Sequence, residues 1–143
     1  MPAFFKIFAT VLLLFNGTGA IYGGLSLMIF PDGSHLKMSV DWLQNTTFKD
    51  YFIPGLVLFV ANGCFSVVVL TAIWLKHPHS SWLVIAQGAI LSGWIIIQIL
   101  LIQTVYYLHF ILGGVGLSLI LIGYLLTTTK YALVHNNPYQ SAY

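Results

Sequence analysis

The chain has 143 residues, of which 59% are hydrophobic and only 6% charged. A water-facing domain has roughly a quarter of its residues charged, so lipid must cover most of this surface and a soluble globular fold is excluded. The formal net charge of +2, with no basic cluster, argues against nucleic acid as a partner.

The first apolar run, about residues 4–30, is a membrane span. Lys6 before an apolar stretch imitates a signal peptide. The run from Ile7 to Phe30 is too long for an h-region, and apolar sequence resumes after the small residues Gly17–Ala20. The expectation is a retained helix. Pro31-Asp32-Gly33 stops it, because Pro disfavours helix in the residue before it and Asp-Gly is turn chemistry.

A polar loop follows, between spans one and two. It carries all three acidic residues, Asp32, Asp41 and Asp50, with Lys37 and Lys49. Leu36, Val40 and Leu43 fall at helical spacing beside Trp42. Two readings stand: a short amphipathic helix on the membrane surface, or a capped loop. Asn45-Thr46-Thr47 matches the glycosylation sequon, which matters only in a eukaryotic source.

Span two covers about residues 52–75. Asp50 is placed to cap its first turn, and Pro54 is tolerated early in a helix. The turn Lys76-His77-Pro78-His79 ends it, and Ser80 or Ser81 can cap span three, about 82–103. Tyr106 and Tyr107 mark the next turn, span four covers about 108–128, and a polar tail takes 131–143, where Asn137-Pro138 argues against helix. The predicted fold is all-α: a four-helix transmembrane bundle over residues 1–130 with one long extracytoplasmic loop between helices 1 and 2. No alternating strand pattern suggests a membrane β-barrel.

Lys6, Lys76 and Lys130 flank the N-terminus, the middle turn and the C-terminus, in segments without acids. The positive-inside tendency puts both termini in the cytoplasm and the loop outside. Trp42, Tyr51, Tyr106 and Tyr107 would then form an outer aromatic belt, with Trp74, Trp82 and Tyr131 as an inner one.

No Asp, Glu, Lys or Arg lies deep in any span. Ion-coupled transporters usually carry their driving ion on such groups, so their absence argues against one. The interior polar residues are neutral. Asn16, Asn62 and Ser92 fall near the midplane, counted at about 1.5 Å per residue, and Gln87 lies toward the Lys76 side. These four are candidate interhelical polar contacts, because an amide in hydrocarbon must find a partner. Gln98, Gln103 and His109 lie toward the loop side. With Asp50 they form a candidate polar pocket at the outer mouth.

Small residues mark helix-packing faces: Gly19-x-x-x-Gly23 and Ala20-x-x-x-Gly24 on span one, Gly88 and Ser92 on span three, Gly113, Gly114 and Gly116 on span four. His109 is the only histidine near a span, which leaves haem without paired axial ligands. His77 and His79 make a weak metal pattern on a solvated turn. Cys64 has no second cysteine to pair with. No phosphate loop, nucleophile elbow or Cys–His pair occurs. No cofactor, metal or catalytic residue is expected.

The stretch GGLSLMIFPDGSHLKMSVDWLQNTTFKDYFIPGLVLF, with its ending Phe48, Asp50, Tyr51, Phe52, Ile53, Pro54 and Gly55, resembles a family of small bacterial four-span inner-membrane proteins. Trp94 and Gln98, in GWIIIQILLIQ, are similar to that family's W-x-x-x-Q in span three. The resemblance runs from Gly17 to about Gly123. It implies a fold and an inner-membrane location but no activity, and it marks Asp50, Pro54, Trp94 and Gln98 as residues to test.

The expected function is a non-enzymatic accessory or scaffold subunit, or a small oligomeric permease component. Its partners would be the lipid bilayer and a homo-oligomer or larger membrane complex. The alternative is a pore or transporter for a small neutral solute. An intramembrane enzyme or cofactor binder ranks third.

Overall fold

The computed structural model describes residues 2–135. Four helices are long and apolar enough to cross a membrane: α1 (Ala3–Ile29), α2 (Phe52–Trp74), α3 (Ser80–Ile102) and α4 (Tyr107–His135, its apolar part Tyr107–Thr129). The shorter ones have 23 residues, about 35 Å of helix against a hydrocarbon core of about 30 Å. No strand occurs among the described residues. α4 runs beyond 128 and takes in the first residues assigned to the polar tail; the Asn137-Pro138 turn lies outside the described residues.

Each helix buries a stripe and offers the rest to lipid. On α1 the buried positions Ala9, Leu13, Asn16, Ala20, Gly24 and Leu27 recur every three or four residues. That is the spacing of helices packed nearly parallel. Phe4, Phe8, Val11 and Leu14 lie outside the stripe and are exposed, as lipid-facing residues should be. The main core joins Leu13 to Val69, Val84 and Leu119, all without exposed surface.

The helices pair as two tight hairpins, α1 with α2 and α3 with α4. Small residues make the close approach. A Cβ on Gly24 would stand 2.8 Å from the Gly55 carbonyl oxygen and 2.7 Å from Phe59 Cβ. Across α3 and α4, a Cβ on Gly116 would stand 2.5 Å from Ser92 Oγ, and one on Gly88 2.5 Å from the Gly116 carbonyl oxygen. Not every glycine marked as a packing residue serves this way. Gly19, Gly113 and Gly114 have open space where a Cβ would go, and Gly23 makes only ordinary contact with Leu58.

α2 is not a plain α-helix. Residues Leu58–Cys64 form a π-helical stretch between α-helical ends. Such widened turns often accompany functional sites.

The segment between α1 and α2 is folded onto the bundle. It contains two 3₁₀ turns, Ser34–Leu36 and Val40–Leu43, separated at Lys37, whose φ is 55°. A continuous surface helix through Leu36, Val40 and Leu43 is therefore absent. Leu43 is buried with Leu27 and Tyr51, and Leu36, Met38 and Phe48 pack against them. Tyr51 ties the segment down: its hydroxyl donates to the Ser39 carbonyl at 2.7 Å and its N–H to the Pro31 carbonyl at 2.8 Å. Burial, with the nearby Tyr106 second, pushes the Tyr51 hydroxyl pKa up. The Asp32 carboxylate accepts from the Ser34 hydroxyl at 2.7 Å and from its N–H at 3.1 Å, which holds its pKa below the ordinary value.

Candidate functional site

The two hairpins leave a cavity of about 490 Å³ on the side of the bundle near the α1–α2 segment. This is within the range of small-molecule sites, about 300–1,000 Å³. On α1 its wall is Phe15, Asn16, Gly19, Ala20, Gly23 and Leu27. α3 supplies Leu91, Trp94, Gln98 and Ile102, and α4 supplies Tyr107, Leu108, His109 and Leu112. Leu36, Lys37, Met38 and Trp42 reach it from the segment between α1 and α2. Trp42 and Tyr106 meet over it with ring centroids 5.9 Å apart.

Gly19 explains why there is room. It belongs to the wall, and a side chain there would project into open space. Phe15, Tyr107 and Leu108 are exposed as well as lining, so the cavity opens sideways between α1 and α4 as well as toward the aromatic pair. It does not continue through the molecule. Toward the Lys6 end, Leu13, Val69, Val84 and Leu119 fill the centre completely.

The polar side chains of this wall include Asn16, Lys37, Trp94, Gln98 and His109. His109 is 7% exposed, and its Nδ1 accepts the Tyr106 N–H at 3.0 Å. In the neutral ring the proton then sits on Nε2, which is left as a donor. Trp94 is 7% exposed, and its indole N–H has no acceptor among the described residues. Gln98 stands one turn along from Trp94 on the same face and supplies an amide with both donor and acceptor atoms.

Of the four residues assigned to an outer polar pocket, Gln98 and His109 line this cavity and Asp50 and Gln103 do not. Asp50 is exposed, and its carboxylate accepts the Phe52 N–H at 3.0 Å, a capping role at the start of α2. Gln103 is exposed and ends α3 with a φ of 54°. His109 also has a capping role: as the third residue of α4, it reaches back to the N–H just before the helix, as the acidic member of a capping box does. Trp42, Tyr106 and Gly19 are wall residues that sequence reasoning had assigned only to an aromatic belt or to helix packing.

Behind the cavity lies a polar knot. Asn16 Nδ2 donates to Ser66 Oγ at 3.0 Å and to the Asn62 carbonyl at 3.4 Å, and Gln87 Nε2 donates to Asn62 Oδ1 at 3.3 Å. Asn62, Ser66 and Gln87 have no exposed surface. Three of the four proposed interhelical contacts thus meet in one network across α1, α2 and α3. Ser92 is elsewhere, against Gly116, and its hydroxyl has no partner among the described residues. Ser66 was not singled out, although Asn62 and Ser66 stand four apart on one helix face. Asn16 alone of the knot lines the cavity.

No group of three or more His, Cys, Asp or Glu that could hold a metal ion occurs among the described residues. Cys64 is free and exposed. No family model, curated protein or solved structure matches the chain.

Proposed function

We propose that this protein is a non-enzymatic membrane bundle that binds a small, largely apolar molecule whose polar end is a hydrogen-bond acceptor. The observation that carries this reading is an apolar cavity, closed toward the Lys6 end and open sideways, with His109 in its wall and Nδ1 of that ring already engaged. A ligand of this kind enters from lipid, leaves its apolar body against Phe15, Leu27, Leu91 and Leu112, and places a carbonyl or ester oxygen near His109 and Gln98. The aromatic pair Trp42 and Tyr106 covers the polar end. In a larger membrane complex, such a bundle serves as an accessory subunit that holds a lipid-class molecule.

The packed centre at Leu13, Val69, Val84 and Leu119 argues against a standing pore through a single chain; a transporter for a small neutral solute remains the second reading, since a cavity closed at one end also suits alternating access. The location we infer is a bacterial inner membrane, supported by the resemblance to small four-span proteins. The lysine distribution favours cytoplasmic termini and a segment 30–51 on the outer side, and the cavity then opens toward the outer leaflet.

The test uses a photoreactive fatty-acid methyl ester and the matching photoreactive alkane, with protein in lipid nanodiscs. The ester is expected to crosslink around Gly19–Gly23 and Leu108–Leu112, more than the alkane does, and Gly19→Leu should abolish that labelling. Equal labelling by both probes, spread over the lipid-facing residues, overturns the proposal.

A further inference from the structure

The opposite end of the bundle holds a second cavity, of about 510 Å³, between the start of α1, the turn after α2 and the far part of α4. Lys6, Lys76, His77, Ser80 and Ser81 line it. Among the described residues no carboxylate does, and Asp32, Asp41 and Asp50 all sit in the segment at the other end. Lys6 Nζ stands 3.8 Å from the centroid of the Trp74 ring. This is a cation–π contact, which leaves its charge unneutralised.

Lys76 is the telling residue. It ends α2 in the left-handed conformation, with φ 55°. Its N–H bonds the Ile73 carbonyl at 3.2 Å and the next N–H, of His77, bonds the Ala72 carbonyl at 2.9 Å. This is the Schellman ending, and Pro78 follows two residues later. The left-handed position in that ending is usually glycine, since a side chain there carries a penalty. Glycine suits this position better than lysine, although Lys37 and Gln103 adopt the same conformation, and Lys76 lines the cavity.

Two further groups agree. Ser80 is 8% exposed and lines the cavity, with no hydrogen bond to its hydroxyl among the described residues. His77 Nδ1 accepts the His79 N–H at 3.3 Å, which in the neutral ring leaves Nε2–H as a donor. The first turn of α3 starts at Ser80, so the positive end of its dipole adds to the lysines.

We propose that this cavity is a binding site for a phosphate-bearing anion, held between Lys6 and Lys76 with Ser80 and His77 as further donors. Charge-assisted contacts from lysine and a helix start suit phosphate oxygens. The cavity lies where the apolar spans end, the depth of lipid headgroups. Both a phospholipid headgroup and free phosphate present this chemistry, and the test separates them.

Purified protein in neutral detergent is titrated with inorganic phosphate, and separately with phosphatidylglycerol in mixed micelles. Thermal midpoint and native mass spectrometry are the readouts. The site predicts a rise in midpoint with at least one titrant; a rise with phosphatidylglycerol alone assigns the lipid headgroup, and one with phosphate assigns the free ion. Lys76→Gly should leave the unliganded midpoint equal or higher, because it relieves the left-handed backbone, while weakening binding by about tenfold or more. Lys6→Gln should weaken binding in the same direction. No midpoint change with either titrant, or full binding retained in Lys76→Gly, overturns the proposal.

Discussion

The N–H of Tyr106 donates to Nδ1 of His109 at 3.0 Å, so a residue that lines the cavity also caps α4. The two duties separate by substitution. Gln at this position is a good capping-box member, whereas Leu supplies no acceptor. His109→Gln should keep stability within about 0.5 kcal/mol, and His109→Leu should cost about 1 kcal/mol. Denaturation in detergent measures both. Crosslinking of the ester probe should fall in His109→Leu; labelling equal to wild type there would remove His109 from the ligand site.

Gly24 and Gly19 are five residues apart and answer differently to the same change. Gly24→Ala forces the α1–α2 backbones apart and should cost about 1–3 kcal/mol. Gly19→Ala meets nothing and gains helix propensity, so it should be neutral or stabilising by up to about 1 kcal/mol. Matching midpoints for the two variants would contradict the packing described.

The polar knot should punish single substitutions more than a paired one. Asn62→Leu removes the acceptor of Gln87 and leaves a fully buried amide unpaired, a loss of about 1–3 kcal/mol. Adding Gln87→Leu removes the orphan, and the double variant should recover part of that loss. A double-mutant cycle with no coupling between the sites would show that the 3.3 Å contact is energetically silent.

Tyr51 gives the segment between α1 and α2 a pH limit. Burial raises its pKa above the ordinary value of about 10. The neutral hydroxyl is the donor to Ser39, so its stabilisation is complete below the unfolded value and is lost as pH rises through the folded one. Proteolysis of residues 31–50 should accelerate at strongly alkaline pH in the wild type. In Tyr51→Phe it should be faster already at neutral pH. Identical rates in the two proteins at neutral pH would show that the bond to Ser39 does not hold the segment.

Orientation is open to direct labelling. Asn45 is exposed, and Cys64 is the only native cysteine. Asn45→Cys in a Cys64→Ser background should react with an impermeant maleimide from the outer side of the membrane. Reaction only after the inner side is exposed would reverse the topology.

The spans were legible because lipid demands an unbroken apolar stretch of about 20 residues, and that demand is written along the chain. Which face of a span packs was harder to read. Gly19-x-x-x-Gly23 and Ala20-x-x-x-Gly24 carry the same signature, yet the second packs against α2 and the first opens the cavity. The deciding fact, where the neighbouring helix lies, is tertiary. The same holds for the pocket: Gln98 and His109 share depth with Asp50 and Gln103, but depth does not say which way a side chain turns. Asn16, Asn62 and Gln87 were foreseeable as partners, since unpaired amides are costly in hydrocarbon. Lys76 in a glycine position was not, because the backbone conformation there runs against residue preference.

The widened stretch of α2 settles a problem of phase. Pro54, Leu58, Asn62 and Ser66 recur every four residues, with Pro54, Asn62 and Ser66 buried and Leu58 half-buried. In an ideal α-helix a four-residue step overshoots a full turn by about 40°, so three such steps would swing the last side chain roughly 120° from the first. The slower winding of Leu58–Cys64 offsets that drift. Shortening this stretch by one residue would rotate everything beyond it, turning Ser66, Val69 and Ile73 from the bundle toward lipid. The asparagine knot therefore depends on a rate of winding as much as on the residues that compose it.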